Sequence, residues 1–586
     1  MIPPFIIQWE NLSVTVTEKR CSLFRTVKKK KILSNVSGFA TSNSLIAVMG
    51  PSGAGKTTFL GAISGKLKGK EGTLRINNRT VTDKDMCNIS SYIRQEDVFT
   101  ESLTVYEHMK FMAALKLHKT GEERIGIIKK LLIELCLDGN SRTIIGVLSG
   151  GQRRRLSLAT ELISDPYILF CDEPTTGLDS FSAMSVVKIL EATAMTGKLV
   201  LVTLHQPSSQ IFDLFNNIIL LANGKLVFQG SKREAQSFFE RANLVCPDSY
   251  NPADFYIKCV TVDSGNEEDR KTDWLSDLFH NNSEQIITDR YNPNEFTKQK
   301  MNKRSFFVQL RWLVWRVFID FKRSIHVYRT SYILLMITAL IIGVSFSNVT
   351  LENKSNVQNV QGVLILIVSE LIFTHMYYVI YVFPEEIVIF VKEKSLYSSL
   401  PYYLSKVVSL MPISFINAIS FLAVYLALLQ FLQNFNLFLN MSIVLFLTSL
   451  CGISLGLCLS ALFPTVEYIH LFIVPFEIVV MIVSGIWIKV DTLPGVFRAV
   501  KYFSPFYYGF QSVSTLCWEN AEFLANCTTG DVLPCYSSSE EVLRRYGLYE
   551  EYDVVTYNNL YLSFLTLLYC SVGYFGILRK RAIESY

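Results

Sequence analysis

The chain has 586 residues, too many for one hydrophobic core, so two or more domains are expected. Half of its residues are hydrophobic, 18% are charged, and the formal net charge is only +5, which gives no case for nucleic-acid binding. Its 12 cysteines are scattered, with neither a C-x-x-C pair nor a Cys/His spacing suited to zinc, so a zinc site is excluded.

The apolar residues are blocked rather than spread. Residues 1–300 mix charge and apolar side chains as a soluble domain does, whereas 330–580 contain long uncharged runs. The apolar start at residues 1–7 is too short and lacks the basic flank of a cleavable signal, so the first half is expected in the cytosol with reduced thiols. The basic run Lys28, Lys29, Lys30 and Lys31 reads as a solvated loop in preference to a membrane-surface contact.

Residues 45–49 form a wholly apolar run of strand length that feeds Gly50-Pro51-Ser52-Gly53-Ala54-Gly55-Lys56-Thr57-Thr58, followed by a helical pattern. This is G-x-x-x-x-G-K-T in the strand–loop–helix context it needs. The glycines let backbone N–H groups curl around phosphates at a helix N-terminus, Lys56 is placed to reach the β- and γ-phosphates, and the Thr57 hydroxyl is placed to ligate Mg2+. A second apolar strand, 167–171, ends in Asp172-Glu173. Acids at the carboxyl end of a parallel strand point into the crevice that holds the phosphates, so Asp172 suits Mg2+ through water and Glu173 suits the base for an attacking water. A third strand, 199–204, delivers His205, and 218–228 read as a hairpin turning at Asn223-Gly224.

In the second half, apolar stretches at 330–351, 360–383 (interrupted only by Glu370 and His375), 407–466 (two spans and a turn at Gln430, Gln433, Asn434 and Asn436), 468–488 and 554–578 make six candidate spans. Basic residues beside them (Lys322, Arg323, Arg329; Lys392, Lys394, Lys406; Arg579, Lys580, Arg581) all fall on one side, which puts both termini in the cytoplasm. The long acidic stretch 489–553 is then an outer loop; it carries Cys527, Cys535 and the sequon at Asn526, an expected disulfide and glycan site. Glu370, His375 and Glu477 lie at membrane depth, where ionisable groups face a cavity or a partner. Either they meet a substrate, with nearby rings such as Phe476, or they make structural interhelical hydrogen bonds.

Leu148-Ser149-Gly150-Gly151-Gln152, with Gly50–Thr58 before it and Asp172-Glu173 after it, resembles the ATP-binding cassette (ABC) ATPases across residues 1–230. The resemblance implies that Gln95 senses Mg2+ and the membrane domain, that Asp179 belongs to the D-loop, and that His205 contacts the γ-phosphate. It also implies that Ser149, Gly150, Gly151 and Gln152 face ATP held by a second cassette. One chain carries one cassette, so the implied partner is a second half-transporter, in a homodimer or a heterodimer. A cassette preceding the membrane domain resembles the G subfamily of sterol, pigment-precursor and multidrug half-transporters, as do Asn251-Pro252-Ala253-Asp254-Phe255, Phe383-Pro384 with Glu386, and Ser504-Pro505 with Tyr508. In that subfamily an arginine follows the glutamate corresponding to Glu386; Ile387 stands there, so a cytoplasmic salt bridge is expected to be missing. An adenine-stacking aromatic is expected where Val14 stands, with Trp9 and Phe24 as substitutes.

The expected architecture is an α/β P-loop ABC nucleotide-binding domain (1–260), a linker (261–300), an amphipathic connecting helix (301–328) and an all-α membrane domain of six transmembrane helices (329–586). The expected function is that of an ATP-hydrolysing primary active transporter, using ATP and Mg2+, in the plasma membrane among its lipids and exporting a lipid, sterol or other amphipathic molecule. The competing reading is a catalytically weak, regulatory half of a heterodimer; it needs a degenerate site, whereas Lys56, Ser149, Asp172, Glu173 and His205 are all present.

Overall fold

The computed structural model describes residues 4–583 apart from 20–26, 68, 249, 262–273, 280–302, 350–355, 429–433, 486, 489–491, 521–537 and 550–551. Phe24, Asn526, Cys527 and Cys535 lie outside the described residues. The chain divides into two compact units, Met1–Arg304 and Ser305–Ser585.

Among the described residues the first unit holds ten strands: β1 (Ile6–Lys19), β2 (Val27–Thr41), β3 (Ser44–Met49), β4 (Lys70–Ile76), β5 (Arg79–Thr80), β6 (Ser90–Ile93), β7 (Ile168–Cys171), β8 (Leu199–Thr203), β9 (Asn217–Ala222) and β10 (Lys225–Ser231). They form a four-stranded antiparallel sheet, β2-β1-β4-β5, and a six-stranded sheet, β10-β9-β3-β8-β7-β6. The larger sheet is parallel from β9 to β6, with β10 added antiparallel at its edge. Every residue of β3, β7 and β8 is buried, which is why these strands read as unbroken apolar runs in place of alternating ones. The expected hairpin is present: Ala222 pairs with Lys225, and Asn223 and Gly224 between them both take positive φ (47° and 74°), as a type I′ turn requires.

Two expectations fail here. The lysine run is not a loop: Lys28, Lys30 and Lys31 pair with Glu18, Val16 and Thr15 as strand β2. The Thr/Val alternation of β1 supplies a pairing edge that outweighs the preference of lysine for coil. Trp9 is fully buried with its ring 5.4 Å from Phe59, so it is core and cannot stack on adenine; Val14 is buried too.

Three helices of this unit position the site: α1 (Lys56–Ile63), α2 (Gly150–Leu162) and α3 (Ser180–Met195). The second unit contributes α4 (Phe306–Arg323), α5 (Ile325–Ser345), α6 (Asn356–Val379), α7 (Val382–Glu393), α8 (Ser399–Leu428), α9 (Phe435–Leu462), α10 (Val466–Ile482), α11 (Pro505–Glu519) and α12 (Val554–Ile583). Among the described residues five helical stretches are long and apolar enough to cross a membrane: α5, α6 run on into α7, α8, α9 and α12. The stretch expected as a fifth span forms α10, whose 17 residues reach about 26 Å, just short of a ~30 Å hydrocarbon core.

The expected outer loop 489–553 is not a loop throughout. It contains α11, whose residues from Pro505 to Trp518 are all buried against α6, α9 and α12. Fifteen residues are too few to span, and a count of spans by length passes over such a helix. At the centre of the unit α9 is buried along nearly its whole length. Gly452 and Gly456 let α6 approach its backbone: a Cβ at Gly456 would stand 2.6 Å from the Met376 carbonyl oxygen.

Candidate functional site

The P-loop leaves β3 at Gly50 and enters α1 at Lys56. Gly50 has φ +150°, and a Cβ there would lie 2.1 Å from the Leu221 carbonyl oxygen, so only glycine fits. The Lys56 ammonium donates to the carbonyls of Gly50 (2.9 Å) and Pro51 (3.1 Å), curling its stem back over the loop. Burial pushes it below the ordinary lysine value, against the opposing pull of the Glu173 and Asp172 carboxylates.

Asp172, buried at the end of β7, is the hub of the site. It accepts hydrogen bonds from the hydroxyls of Thr57 (3.0 Å) and Thr203 (2.8 Å) at Oδ1 and of Tyr92 (3.2 Å) at Oδ2. Burial pushes the Tyr92 phenol up, and Asp172 pushes it further, so it stays a donor. Glu173 follows at φ 44°, a left-handed conformation uncommon for a non-glycine residue. Its backbone N–H donates to Thr203 Oγ1 (2.7 Å), and its Oε2 accepts from Gln95 Nε2 (2.9 Å) and Thr176 Oγ1 (3.1 Å). Lys56, Thr57, Gln95, Asp172 and Glu173 thus converge. His205 lies just past β8, after Leu204, and is exposed.

Ser149 caps α2 in a reciprocal capping box: its hydroxyl accepts from the Gln152 N–H (3.3 Å), and Gln152 Oε1 accepts from the Ser149 N–H (3.0 Å). Gln152 is therefore occupied as a cap, and its amide also donates to Asn140 (3.3 Å). Asp179 caps α3 from Ser182 N (2.9 Å), and the Ser182 hydroxyl lies 2.9 Å from where a Gly151 Cβ would be, so the two helix starts adjoin. Among the described residues the side chains of Ser149 and Gln152 make no hydrogen bond to the P-loop, and the helix start at Ser149 and Gly150 is exposed.

Three residues of this site escape motif reading. Thr203 is the last, polar residue of an apolar strand, and register places its strand beside β7. Tyr92 reaches Asp172 from the neighbouring β6. Arg154, buried in α2, donates to the carbonyls of Arg94 (2.8 Å) and Gln95 (2.6 Å) and to Asp97 (3.1 Å), fixing the segment that carries Gln95. The one signal for it is an arginine on the buried side of a helix.

In the second unit the four expected substrate residues separate. Glu477 on α10 accepts from the Tyr377 hydroxyl (2.8 Å) at Oε2, while its buried Oε1 has no hydrogen-bond partner among the described residues. Phe476 stacks on Phe472 (5.6 Å) beside it, and half-buried Glu370 takes only a long bond from Thr374 (3.4 Å) on its own helix. His375, by contrast, is buried toward α8: it bonds the Leu371 carbonyl (2.7 Å) through Nδ1 and Asn417 (3.2 Å) through Nε2. Two residues along a helix are about 200° apart, so Tyr377 and His375 serve opposite faces of α6.

The missing salt bridge is replaced. Ile387 carries no charge, but Glu386 pairs with Lys406 (2.5 Å) and accepts from the Tyr402 hydroxyl (3.1 Å). A second buried pair, Arg316 to Glu393 (2.7 Å), ties α4 to α7, reinforced by the Tyr397 hydroxyl (2.6 Å) and by Gln309 accepting from Ser398 N–H (2.8 Å).

A P-loop ATPase unit with a converged hydrolytic set, fused to a bundle of membrane-length helices, defines an ATP-driven membrane transporter. Family comparison agrees: residues 33–176 match the ABC transporter model, and 308–517 and 205–275 match models described as ABC-2 type transporter. The chain is 34% identical to Protein scarlet of Drosophila melanogaster over 94% of this chain and 87% of that protein. It is 29% identical to Protein brown of the same fly (99% and 97% covered) and 31% identical to its Protein white (88% and 78% covered). The chain belongs to the ABC transporters, within the White/Brown/Scarlet group of G-type half-transporters. It is an integral membrane protein with an ATP-hydrolysing cassette.

Proposed function

We propose that this half-transporter pairs with a second one, its own copy or a similar chain, and exports a lipid, sterol or other amphipathic molecule across the plasma membrane with both termini cytoplasmic. The observation that carries the active, not regulatory, reading is the hydrogen-bonded set around Asp172 and Glu173, complete in Lys56, Thr57 and Gln95. On ATP binding, Lys56 leaves the Gly50 and Pro51 carbonyls for the β- and γ-phosphates. Glu173, held by Gln95 and Thr176, takes a proton from the attacking water, and His205 contacts the γ-phosphate.

The Thr57 hydroxyl and Asp172 Oδ1 already stand 3.0 Å apart; with the Gln95 amide they form the hard-oxygen set that Mg2+ prefers, Asp172 acting through water. When bound, Mg2+ supplies charge neutralisation for the phosphates. Ser149–Gln152 offer their helix start to the partner's nucleotide, and this chain's P-loop needs the same from the partner. The amphipathic substrate meets the Glu477, Phe476 and Glu370 face, where a carboxylate oxygen lacks a donor among the described residues.

The test is reconstitution of the purified chain in vesicles with a screen of lipids and sterols for stimulation of vanadate-sensitive ATPase. Stimulation by an amphipath, lost on Glu477→Leu, is the expected outcome. Indifference of a hydrolytically active chain to every amphipath tried would overturn the substrate class.

A further inference from the structure

We propose that a pocket enclosed by α5, α6 and α8 binds one flat, ring-containing amphipath that presents a hydroxyl or N–H to Asn417. This site takes Thr374, His375 and Tyr378 from α6, and not Glu370 or Tyr377, and does not depend on the site proposed for transport. The pocket holds about 300 Å3 of open volume, within the range of small-molecule sites. Four aromatic residues, Phe321, Tyr328, Tyr332 and Tyr378, line one end, the Tyr328 ring lying 4.1 Å from Phe321 and 5.2 Å from Tyr378. Ile413 and Ile453 line the deeper wall. Ring-lined, aliphatic walls select a flat apolar body.

Arg329, Ser331 and Thr374 also line it, and the polar group that selects the ligand follows from a chain of hydrogen-bond roles. A carbonyl can only accept, so the 2.7 Å contact with Leu371 places a proton on His375 Nδ1. No carboxylate touches His375 among the described residues, and a bare imidazolium at this depth is costly, so the ring is neutral and Nε2 is a lone pair. The 3.2 Å contact from Asn417 is then a donation by Nδ2. That fixes the amide and leaves Asn417 Oδ1, in the pocket wall, without a donor among the described residues. Asn417 lies eleven residues past Lys406 on α8, about 16 Å deeper along its axis, where water is a poor substitute donor. At the rim Ile325 and Ile416 are half or more exposed beside exposed Arg329, so apolar side chains flank the entrance and the ligand arrives from the membrane.

The experiment uses the full chain in nanodiscs with three photoactivatable probes: a sterol with a free hydroxyl, its methyl ether, and a phosphatidylcholine carrying the photoreactive group on an acyl chain. The free sterol is expected to label residues 325–332 and 410–417, competed by unlabelled sterol, with the methyl ether about tenfold weaker because it cannot donate. Asn417→Leu should lower labelling by the free sterol about tenfold and leave the ether's labelling unchanged; Ile413→Trp, which fills the pocket, should abolish both. Equal labelling of wild-type protein by the ether, or by the phosphatidylcholine probe, would reduce the pocket to a lipid-filled crevice and overturn the proposal. That comparison needs no variant, so it holds even if one fails to fold.

Discussion

Glu173 and Gln95 differ in how much of their role lies in the side chain itself. Glu173→Gln keeps the shape and both hydrogen bonds, to Gln95 and Thr176, but cannot accept a proton. ATPase should fall by about 10²-fold or more, while ATP binding, measured by nucleotide quench or photolabelling, stays within a few-fold; robust turnover in that variant would remove Glu173 from its role. Gln95 depends on Arg154, whose guanidinium fork satisfies two carbonyls and Asp97 at once. Arg154→Lys is expected to be as damaging as Arg154→Met, since an ammonium cannot reproduce a planar fork; each should cost roughly 3–5 kcal/mol, read as a lowered thermal midpoint together with lost ATPase. A lysine variant with wild-type stability would show the fork to be dispensable. The contrast explains what could be read beforehand. Gly50–Thr58, Ser149–Gln152 and Asp172-Glu173 are legible because their chemistry is contiguous in the chain. Arg154, Tyr92 and Thr203 are not, because each acquires its role from a strand or loop brought alongside by sheet order.

Among the elements, strands and spans were legible by length and apolarity, whereas α11 was hidden by both criteria: it is 15 residues long and bordered by charge. Its place inside the membrane unit rests on small residues. A Cβ at Gly509 would stand 2.6 Å from Thr448 Cγ2 and 2.9 Å from Val368 Cγ1. Gly509→Val should therefore cost about 1–3 kcal/mol through overpacking; adding Thr448→Ser, which deletes the opposing methyl, should recover part of it in thermal unfolding. Absence of rescue would mean that the strain is relieved elsewhere. The α4–α7 tie makes a sharper case. Arg316 and Glu393 are each only 7% exposed in their side chains, so removing one partner strands the other in a dry setting. Glu393→Gln should destabilise by about 3 kcal/mol or more, and Arg316→Met with Glu393→Leu together should cost less than the worse single change. A strictly additive double mutant would show that the pair does not act as a pair. That tie, like the Glu386–Lys406 bridge, escaped a motif-based reading: the family position is Ile387, and the cation comes from Lys406, twenty residues past Glu386.

For the whole molecule the decisive quantity is one: one P-loop and one Ser149–Gln152 segment per chain. If each nucleotide is enclosed by the P-loop of one chain and the helix start of another, defects on opposite sides of that sandwich complement in a defined way. Lys56→Met removes the phosphate contact and disables both sites of a homodimer. Ser149→Arg blocks the bare helix start of α2 and likewise disables both. In a mixed dimer the altered Lys56 of one chain meets the altered Ser149 of the other, so both defects fall in a single site. The second site then combines an intact P-loop with an intact helix start. Co-expression with two affinity tags and tandem purification should yield mixed dimers that hydrolyse ATP, at up to about half the wild-type rate if the two sites act independently, while each parent is inactive. Mixed dimers as dead as their parents, from a chain whose wild type hydrolyses ATP alone, would mean that each cassette completes its own site. A wild type inactive alone points instead to a different partner chain. In that case Ser149→Arg here must silence the site built on the partner's P-loop, and Lys56→Met the other one.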